Sequence, residues 1–478
     1  MLFRHLEREP PDSLPRVSDV SPNALFDLVV VSNRLPVSST AAGGDSPAQL
    51  TPGGLVAAVA PALRGRGAAW VGWPGGTDGT ESPLTVEGIT LYPVALSPET
   101  VEHHYEGYSN STLWPLFHDV GVEPQFRATW WNAYRLVNGR FAEKAASIAA
   151  HGAVVWVHDY QMMLVPGLLR QLRPDLTIGY FHHIPLCSPE RFRELPEFSQ
   201  ILKGIADSDI VGFQRSSDTA HFLACAEALS EDGTCSPVAK TYPISIDYSA
   251  VAAASATPAV LDRAQELRES WGNPTTVFLG ADRLDYTKGI PERLEAYELL
   301  LSSGRLTPTE SVFVQAGSPS RENVESYRAL QERIEAIVER INTKFRSDNG
   351  RPVVVYIASN LEREEMLSLF VSADVMVVSA LRDGMNLVAK EYVACRTDET
   401  GVLVLSTRTG AADSMTEALL VDPTDSQALA DTMMRASHLS ASEQRQRMRA
   451  LRAEVMEHDV AWWADRILSD LASAANSR

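Results

Sequence analysis

Short apolar runs alternate with helical patterns along nearly the whole chain, and this alternation restricts the fold more than any other feature. The runs are Leu28–Ser32, Val154–His158, Ile178–His182 and Ile210–Phe213 in the first half. In the second they are Thr276–Gly280, Val312–Ala316, Val353–Ile357, Val375–Val378 and Val402–Leu405. Each has the length of a buried strand, and strands separated by helices pair in parallel. The expected class is α/β, with mainly parallel sheets. A chain of 478 residues is also too long for one ordinary core, so two domains are expected. Between the two sets lies Ser249–Pro274, an Ala/Ser-rich stretch followed by a polar helix, which marks the boundary region. The expected division is an extension over 1–24, a first domain over 25–248, a second over 249–455 and a terminal segment over 456–478.

The first residues mix Arg4, Arg8 and Arg16 with Glu7, Glu9 and Asp12, and prolines interrupt them. They lack the apolar centre of a secretory signal and read as a disordered extension. The apolar runs are far too short to span a membrane. Cys187, Cys225, Cys235 and Cys395 show no C-x-x-C spacing. Neither a disulfide framework nor a zinc site is expected, and a reducing cytoplasm fits. A net charge of −19 argues against a nucleic-acid surface. It also means that a phosphate ligand must find locally placed cations.

Such cations stand at the ends of the strand candidates. Val375–Val378 leads through Asp383-Gly384 into a helical composition from Asn386 onward. The free amides of a helix start suit a phosphate. Asp383 and Glu391 bracket that start, so phosphates on the amides and hydroxyls on the carboxylates suit a nucleotide sugar. The plainer reading is a helix start with two solvated acids. Leu28–Ser32 ends in Asn33-Arg34, and Thr51-Pro52-Gly53-Gly54 then opens a helix over Leu55–Leu63, where adjacent glycines let the backbone approach a diphosphate. Arg283-Leu284-Asp285-Tyr286-Thr287-Lys288-Gly289 follows Thr276–Gly280. Arg283 and Lys288 can both reach one diphosphate and stabilise charge on a leaving group. The plain alternative is a surface loop with an Arg283–Asp285 salt bridge. Arg321, after Val312–Ala316, pairs with Arg34 as a second phosphate site.

Asp159 and His183 also end strand candidates, where they can orient sugar hydroxyls or act on protons. His182 reads as a buried core histidine. Tyr105, Trp114, Trp130 and Trp131 are candidates for a sugar-stacking wall, with Trp130 and Trp131 assigned to the core. Asp207-Ser208-Asp209 resembles a D-x-D motif, but its strand follows instead of preceding, so it reads as a helix-to-strand connection. No P-loop, G-x-G-x-x-G after a strand or G-x-S-x-G is present. Val460, Trp463, Ile467, Leu468 and Leu471 form the apolar stripe of a last helix.

Taken in order, Ser32-Asn33-Arg34, Gly53-Gly54-Leu55, Trp114-Pro115, His158-Asp159-Tyr160, His183-Ile184-Pro185, Arg283 to Gly289 and Arg382 to Glu391 closely resemble the motifs of the trehalose-6-phosphate synthases. The resemblance runs from about Leu25 to the end of the chain. It implies a GT-B architecture, two facing Rossmann-like domains with a cleft between them, and a last helix that crosses back to the first domain. It implies retaining transfer of glucose from a nucleoside diphosphate glucose to glucose 6-phosphate, giving α,α-trehalose 6-phosphate, with no metal or other cofactor. By motif position, Gly53, Gly54, Arg283, Lys288, Leu361 and Leu387-Val388-Ala389-Lys390-Glu391 would hold the donor, Glu391 at the ribose and Asp383 at the transferred glucose. Arg34, Tyr105, Asp159 and Arg321 would hold the acceptor, and Trp114 would line its pocket. Asp159, His183, Arg283, Lys288 and Asp383 would surround the reacting atoms. A homotetramer is the family's suggestion.

Two departures bear on the donor. Leu186-Cys187-Ser188 stands where the family runs Phe-Pro-Ser, and Leu361 stands where a Phe often lies near the base. UDP-, ADP- and GDP-glucose all stay open. A synthase using another acceptor, such as a glucosylglycerol-phosphate synthase, and a silent sugar-phosphate sensor are the competing readings. A sensor would be expected to lose Arg283, Lys288, Asp159 or Glu391, and all four are present.

Overall fold

The structure, a computed structural model, describes residues 25–37, 54–63, 65–76, 82–229, 238–321, 324–346 and 350–476. The extension over 1–24, Gly53 and Cys235 lie outside the described residues.

Two sheets organise the chain. The first has β1 (Phe26–Arg34), β2 (Ala69–Trp73), β3 (Leu84–Val86), β4 (Ile89–Pro93), β5 (Ala149–His158), β6 (Thr177–His182), β7 (Ile210–Phe213) and β8 (Val238–Thr241). Their order is β3-β4-β2-β1-β5-β6-β7-β8, antiparallel only between β3 and β4. The second has β9 (Thr276–Arg283), β10 (Ser311–Ser318), β11 (Val354–Ile357), β12 (Val375–Val378), β13 (Val402–Ser406) and β14 (Leu419–Val421), in the order β11-β10-β9-β12-β13-β14 and wholly parallel. All nine apolar runs are strands. Strand direction of travel reverses between β1 and β5 in one sheet and between β9 and β12 in the other. Open α/β sheets bind ligands outside the carboxyl ends of strands at such reversals.

Both faces of each sheet are covered, which is why the strands read as continuous apolar runs. In β1, Val29 and Val31 join one core cluster and Val30 joins another. The helix Val460–Asn476 covers β5, β6 and β7 of the first sheet, although it follows the whole second sheet in the chain. Val460, Trp463, Ile467 and Leu471 are buried, and Trp463 sits 5.3 Å from both Trp156 and Phe181. Gly179 makes room for it: a Cβ there would lie 2.9 Å from the Leu471 methyls.

An unusual element carries Tyr105 and leads to Trp114. Glu102–Leu113 is a twelve-residue π-helix, and its wide hydrogen bonding continues to the Trp114 N–H, which donates to the Ser109 carbonyl. Most π-helices are single turns, and they concentrate near functional sites. This one carries Tyr105 and hands the chain on to Trp114.

The two halves touch through polar contacts. Lys390 Nζ donates to the Ile244 carbonyl at 2.9 Å, and Arg382 Nη2 to the Leu186 carbonyl at 3.1 Å. Arg215 grips Asp413 with two hydrogen bonds of 2.7 and 2.8 Å.

Candidate active site

The loop after β12 is fixed from several sides. Asp383 N–H donates to the Arg408 carbonyl, and Gly410 N–H donates to the Asp383 carbonyl. Asn386 caps the helix Leu387–Cys395 with a φ of 108°; its side chain accepts from Ala389 N–H and donates to Asp383 Oδ2 at 3.2 Å. Lys288 Nζ reaches the same oxygen at 2.5 Å. Lys288 is placed by the turn Tyr286–Lys288, which ends at Gly289 with a φ of 61°. A Cβ on Gly289 would collide with the Ser379 carbonyl. Burial works to raise the Asp383 pKa, but Lys288 and Asn386 prevail and hold it below the ordinary carboxylate range. Asp383 is therefore an ionised acceptor at neutral pH.

Across the cleft, Gly384 packs on the first half, where a Cβ would strike the His183 carbonyl. His183 N–H donates to Asp159 Oδ1 at 3.2 Å. Asp159 holds a φ of 76° and ψ of 168°, a backbone state that a side-chain-bearing residue rarely adopts and that concentrates at functional sites. Burial pushes its carboxyl up to about 6, against the amides of Tyr160 and His183 and the charges of Arg321 and Arg283. His183 Nε2 lies 3.0 Å from His158 Nδ1. Burial and the adjacent histidines keep His183 well below the ordinary range, so its ring is neutral. His182 is a core histidine, fully buried with Tyr180 Oη at 2.9 Å.

Among the described residues the cations divide into free and engaged ones. Arg283 is exposed, makes no ion pair among the described residues and lies 5.9 Å over the Trp114 ring. The salt bridge with Asp285 that its spacing allows does not form: Asp285 faces Arg321 instead, at 3.5 Å. Arg34 is exposed, 4.9 Å over Trp73. Arg321 has a φ of 51° and a buried side chain that joins the two halves. Its guanidinium lies 3.9 Å over Trp114, Nη2 donates to Tyr160 Oη at 3.2 Å, and Nη1 contacts Tyr327 Oη. Trp114 is buried and stacked on His118 at 4.0 Å. Tyr105 is half-buried, 6.2 Å from Trp73. Trp130 and Trp131 pack against the first half's core, as assigned.

On the helix Leu387–Cys395, Ala389 is buried while Leu387 and Val388 are half-buried. Lys390 is engaged through its ammonium by Ile244, and burial lowers it to about 8. Burial pushes Glu391 up to about 7, against the pull of Arg363. Leu361 packs half-buried against the core cluster that contains this helix. Gly54 opens the helix Gly54–Leu63. Among the described residues, no three His, Cys, Asp or Glu side chains are grouped to hold a metal ion. A surface cleft of about 710 Å³ beside Arg140 and Lys144 contains none of the residues above.

The structure thus brings Asp159, His183, Lys288, Asp383, Arg321 and Trp114 to facing sheet ends. Sequence reasoning missed Asp285, Tyr327, Tyr160 and His158 as partners. Asp285, Tyr160 and His158 lie inside the quoted motifs; Tyr327 lies in a helix with nothing to single it out.

Residues 27–473 match the family model described as glycosyltransferase family 20. A trehalose-6-phosphate synthase of Mycobacterium sp. (strain JLS) is 45% identical over 470 residues, covering 94% of this chain and 97% of the relative. One of Mycolicibacterium smegmatis is 44% identical over 470 residues, covering 94% and 93%. Among solved structures, one described as trehalose-6-phosphate from E. coli bound with UDP-2-fluoro glucose is similar with a TM-score of 0.84 and 32% identity, over 93% of this chain and 98% of that one. A Burkholderia xenovorans alpha,alpha-trehalose-phosphate synthase (UDP-forming) in complex with glucose-6-phosphate gives a TM-score of 0.85 and 30% identity, over 93% and 99%.

Proposed function

Because the chain belongs to glycosyltransferase family 20 and has its GT-B fold, we propose that it transfers glucose from a nucleoside diphosphate glucose to glucose 6-phosphate, with retention, to give α,α-trehalose 6-phosphate. The observation that carries this reading is the distribution of charge at the cleft. The ionised Asp383 tied to Lys288 suits sugar hydroxyls beside a diphosphate, and Arg34 and Arg321 offer a second phosphate position.

In this reading Arg283 and Lys288 take the donor diphosphate, the segment Leu387 to Glu391 holds the donor together with Gly53 and Gly54, and Glu391 accepts from the ribose. Asp383 holds hydroxyls of the transferred glucose. Asp159 orients the acceptor, and Trp114 and Tyr105 wall it. The acceptor hydroxyl attacks from the face the diphosphate leaves, and the departing phosphate oxygen takes its proton. A neutral His183 lines the reaction centre without competing for that proton. Double displacement needs a carboxylate nucleophile. Asp383 is poorly suited to that role, being held by both Lys288 and Asn386. Trapping a covalent glucosyl–enzyme would overturn the front-face route.

UDP-glucose is the donor to test first, since the E. coli structure binds a UDP-glucose analogue. A homotetramer in the cytoplasm completes the reading. Among the described residues three buried thiols are compatible with a reducing compartment, and no helix is long and apolar enough to cross a membrane. The decisive experiment measures nucleoside diphosphate release from UDP-, ADP- and GDP-glucose, with and without glucose 6-phosphate, and identifies the sugar product. Release that needs glucose 6-phosphate and yields trehalose 6-phosphate is expected. Folded protein that turns over none of the three donors would remove this reading.

A further inference from the structure

Asp285 links the turn that carries Lys288 to the buried side chain of Arg321. It is 1% exposed, and each of its oxygens has a separate task. Oδ1 accepts the Thr287 N–H at 3.0 Å and so caps the turn that delivers Lys288 to Asp383. Oδ2 accepts the Tyr327 hydroxyl at 3.2 Å and faces Arg321 Nη1 at 3.5 Å. Arg321 Nη1 in turn donates to the Tyr327 oxygen, which closes a triangle of carboxylate, phenol and guanidinium. A buried guanidinium without such partners would be costly, and its orientation follows from them. Burial works against charge on Asp285, but Arg321, Arg283 and Lys288 outweigh it and hold the carboxyl below its ordinary range.

We propose that Asp285 is a positioning residue shared by both substrates: one oxygen sets the turn carrying the donor cation Lys288, and the other, with Tyr327, aims the acceptor cation Arg321. This rests on the reading above, in which Lys288 serves the diphosphate and Arg321 the acceptor phosphate. Asp285 itself touches neither substrate. Tyr327 serves the acceptor branch alone.

The two branches separate by mutation. Tyr327→Phe removes the phenol from the triangle and leaves the Thr287 cap intact. Asp285→Asn keeps an oxygen for Thr287 N–H but loses the charge facing Arg321. Asp285→Ala removes both. Calorimetry measures the Kd of whichever of UDP, ADP and GDP the wild-type protein binds most tightly, and then that of glucose 6-phosphate in its presence. Tyr327→Phe and Asp285→Asn are expected to weaken glucose 6-phosphate about tenfold while the nucleotide Kd stays within about twofold; Asp285→Ala is expected to weaken both by about tenfold. Equal losses of nucleotide and sugar phosphate in Tyr327→Phe and Asp285→Asn would mean a merely structural role and overturn the proposal. So would an unchanged glucose 6-phosphate Kd in those variants, or an unchanged nucleotide Kd in Asp285→Ala. If Asp285→Ala fails to fold, the other two variants still decide the acceptor branch. Wild-type protein that binds no glucose 6-phosphate would instead refute the functional reading beneath it.

Discussion

Whether a cation at the cleft is free or already engaged decides what each substitution does. Among the described residues Arg283 has no ion-pair partner to release, so Arg283→Ala should leave folding intact. Removing a group that stabilises leaving-group charge typically lowers kcat about a hundredfold or more, and steady-state kinetics beside an unchanged Tm checks both halves of this expectation. Burial pushes Glu391 up to about 7, and only its ionised form accepts two ribose hydroxyls. The donor KM should therefore rise as pH falls below 7, by about fivefold between pH 7 and pH 6, with a flat profile in Glu391→Gln. Initial rates across pH 5.5–8.5 test this. Sequence patterns indicated these residues because polar groups at strand ends stand out against apolar runs. They did not indicate that the Lys390 ammonium is tied to Ile244 or that Arg321 is held by Tyr160, since each of these partners lies well over a hundred residues away in the chain.

At the scale of elements, the last helix is the most consequential. Trp463 is fully buried between Trp156 and Phe181, and His183 lies 6.3 Å from it. Trp463→Ala should cost about 3–5 kcal/mol, read from denaturant unfolding. Nine strands were legible because each is an apolar run covered on both faces. β8 was not, since its four residues alternate between exposed and half-buried at an edge; β3 and β14 have only three residues each, and Gly72 interrupts β2. The π-helix was illegible for a different reason: Glu-His-His-Tyr-Glu-Gly-Tyr-Ser-Asn-Ser-Thr-Leu has no apolar period, and its wide turn depends on what His104, Tyr108 and Asn110 meet in the core.

For the whole molecule, buried histidines set the response to acid. Burial lowers His104, His118, His158 and His182 to about 3, and His183 well below its ordinary value. A lowered histidine contributes stability above about 6.5 that is lost as pH falls toward 3. Asp159, Asp218 and Glu391 are raised to about 6, 6 and 7, so they act oppositely, contributing at low pH and losing that contribution as pH rises through those values. Burial also raises Asp207 and Asp282, but the histidines move further from their ordinary value than the carboxylates do, so Tm should fall from pH 6.5 to pH 4, as thermal unfolding in a buffer series will show. The order of the chain adds a consequence in time. The helix Val460–Asn476 completes the face of β5–β7, yet every strand of the second sheet is made before it. During synthesis, at about 5–20 residues per second, the first half waits tens of seconds with Trp156 and Phe181 uncovered while the second half emerges. That interval exposes a sticky surface on every nascent copy, and a chaperone that shields it until the ribosome finishes the chain would raise the yield of folded protein.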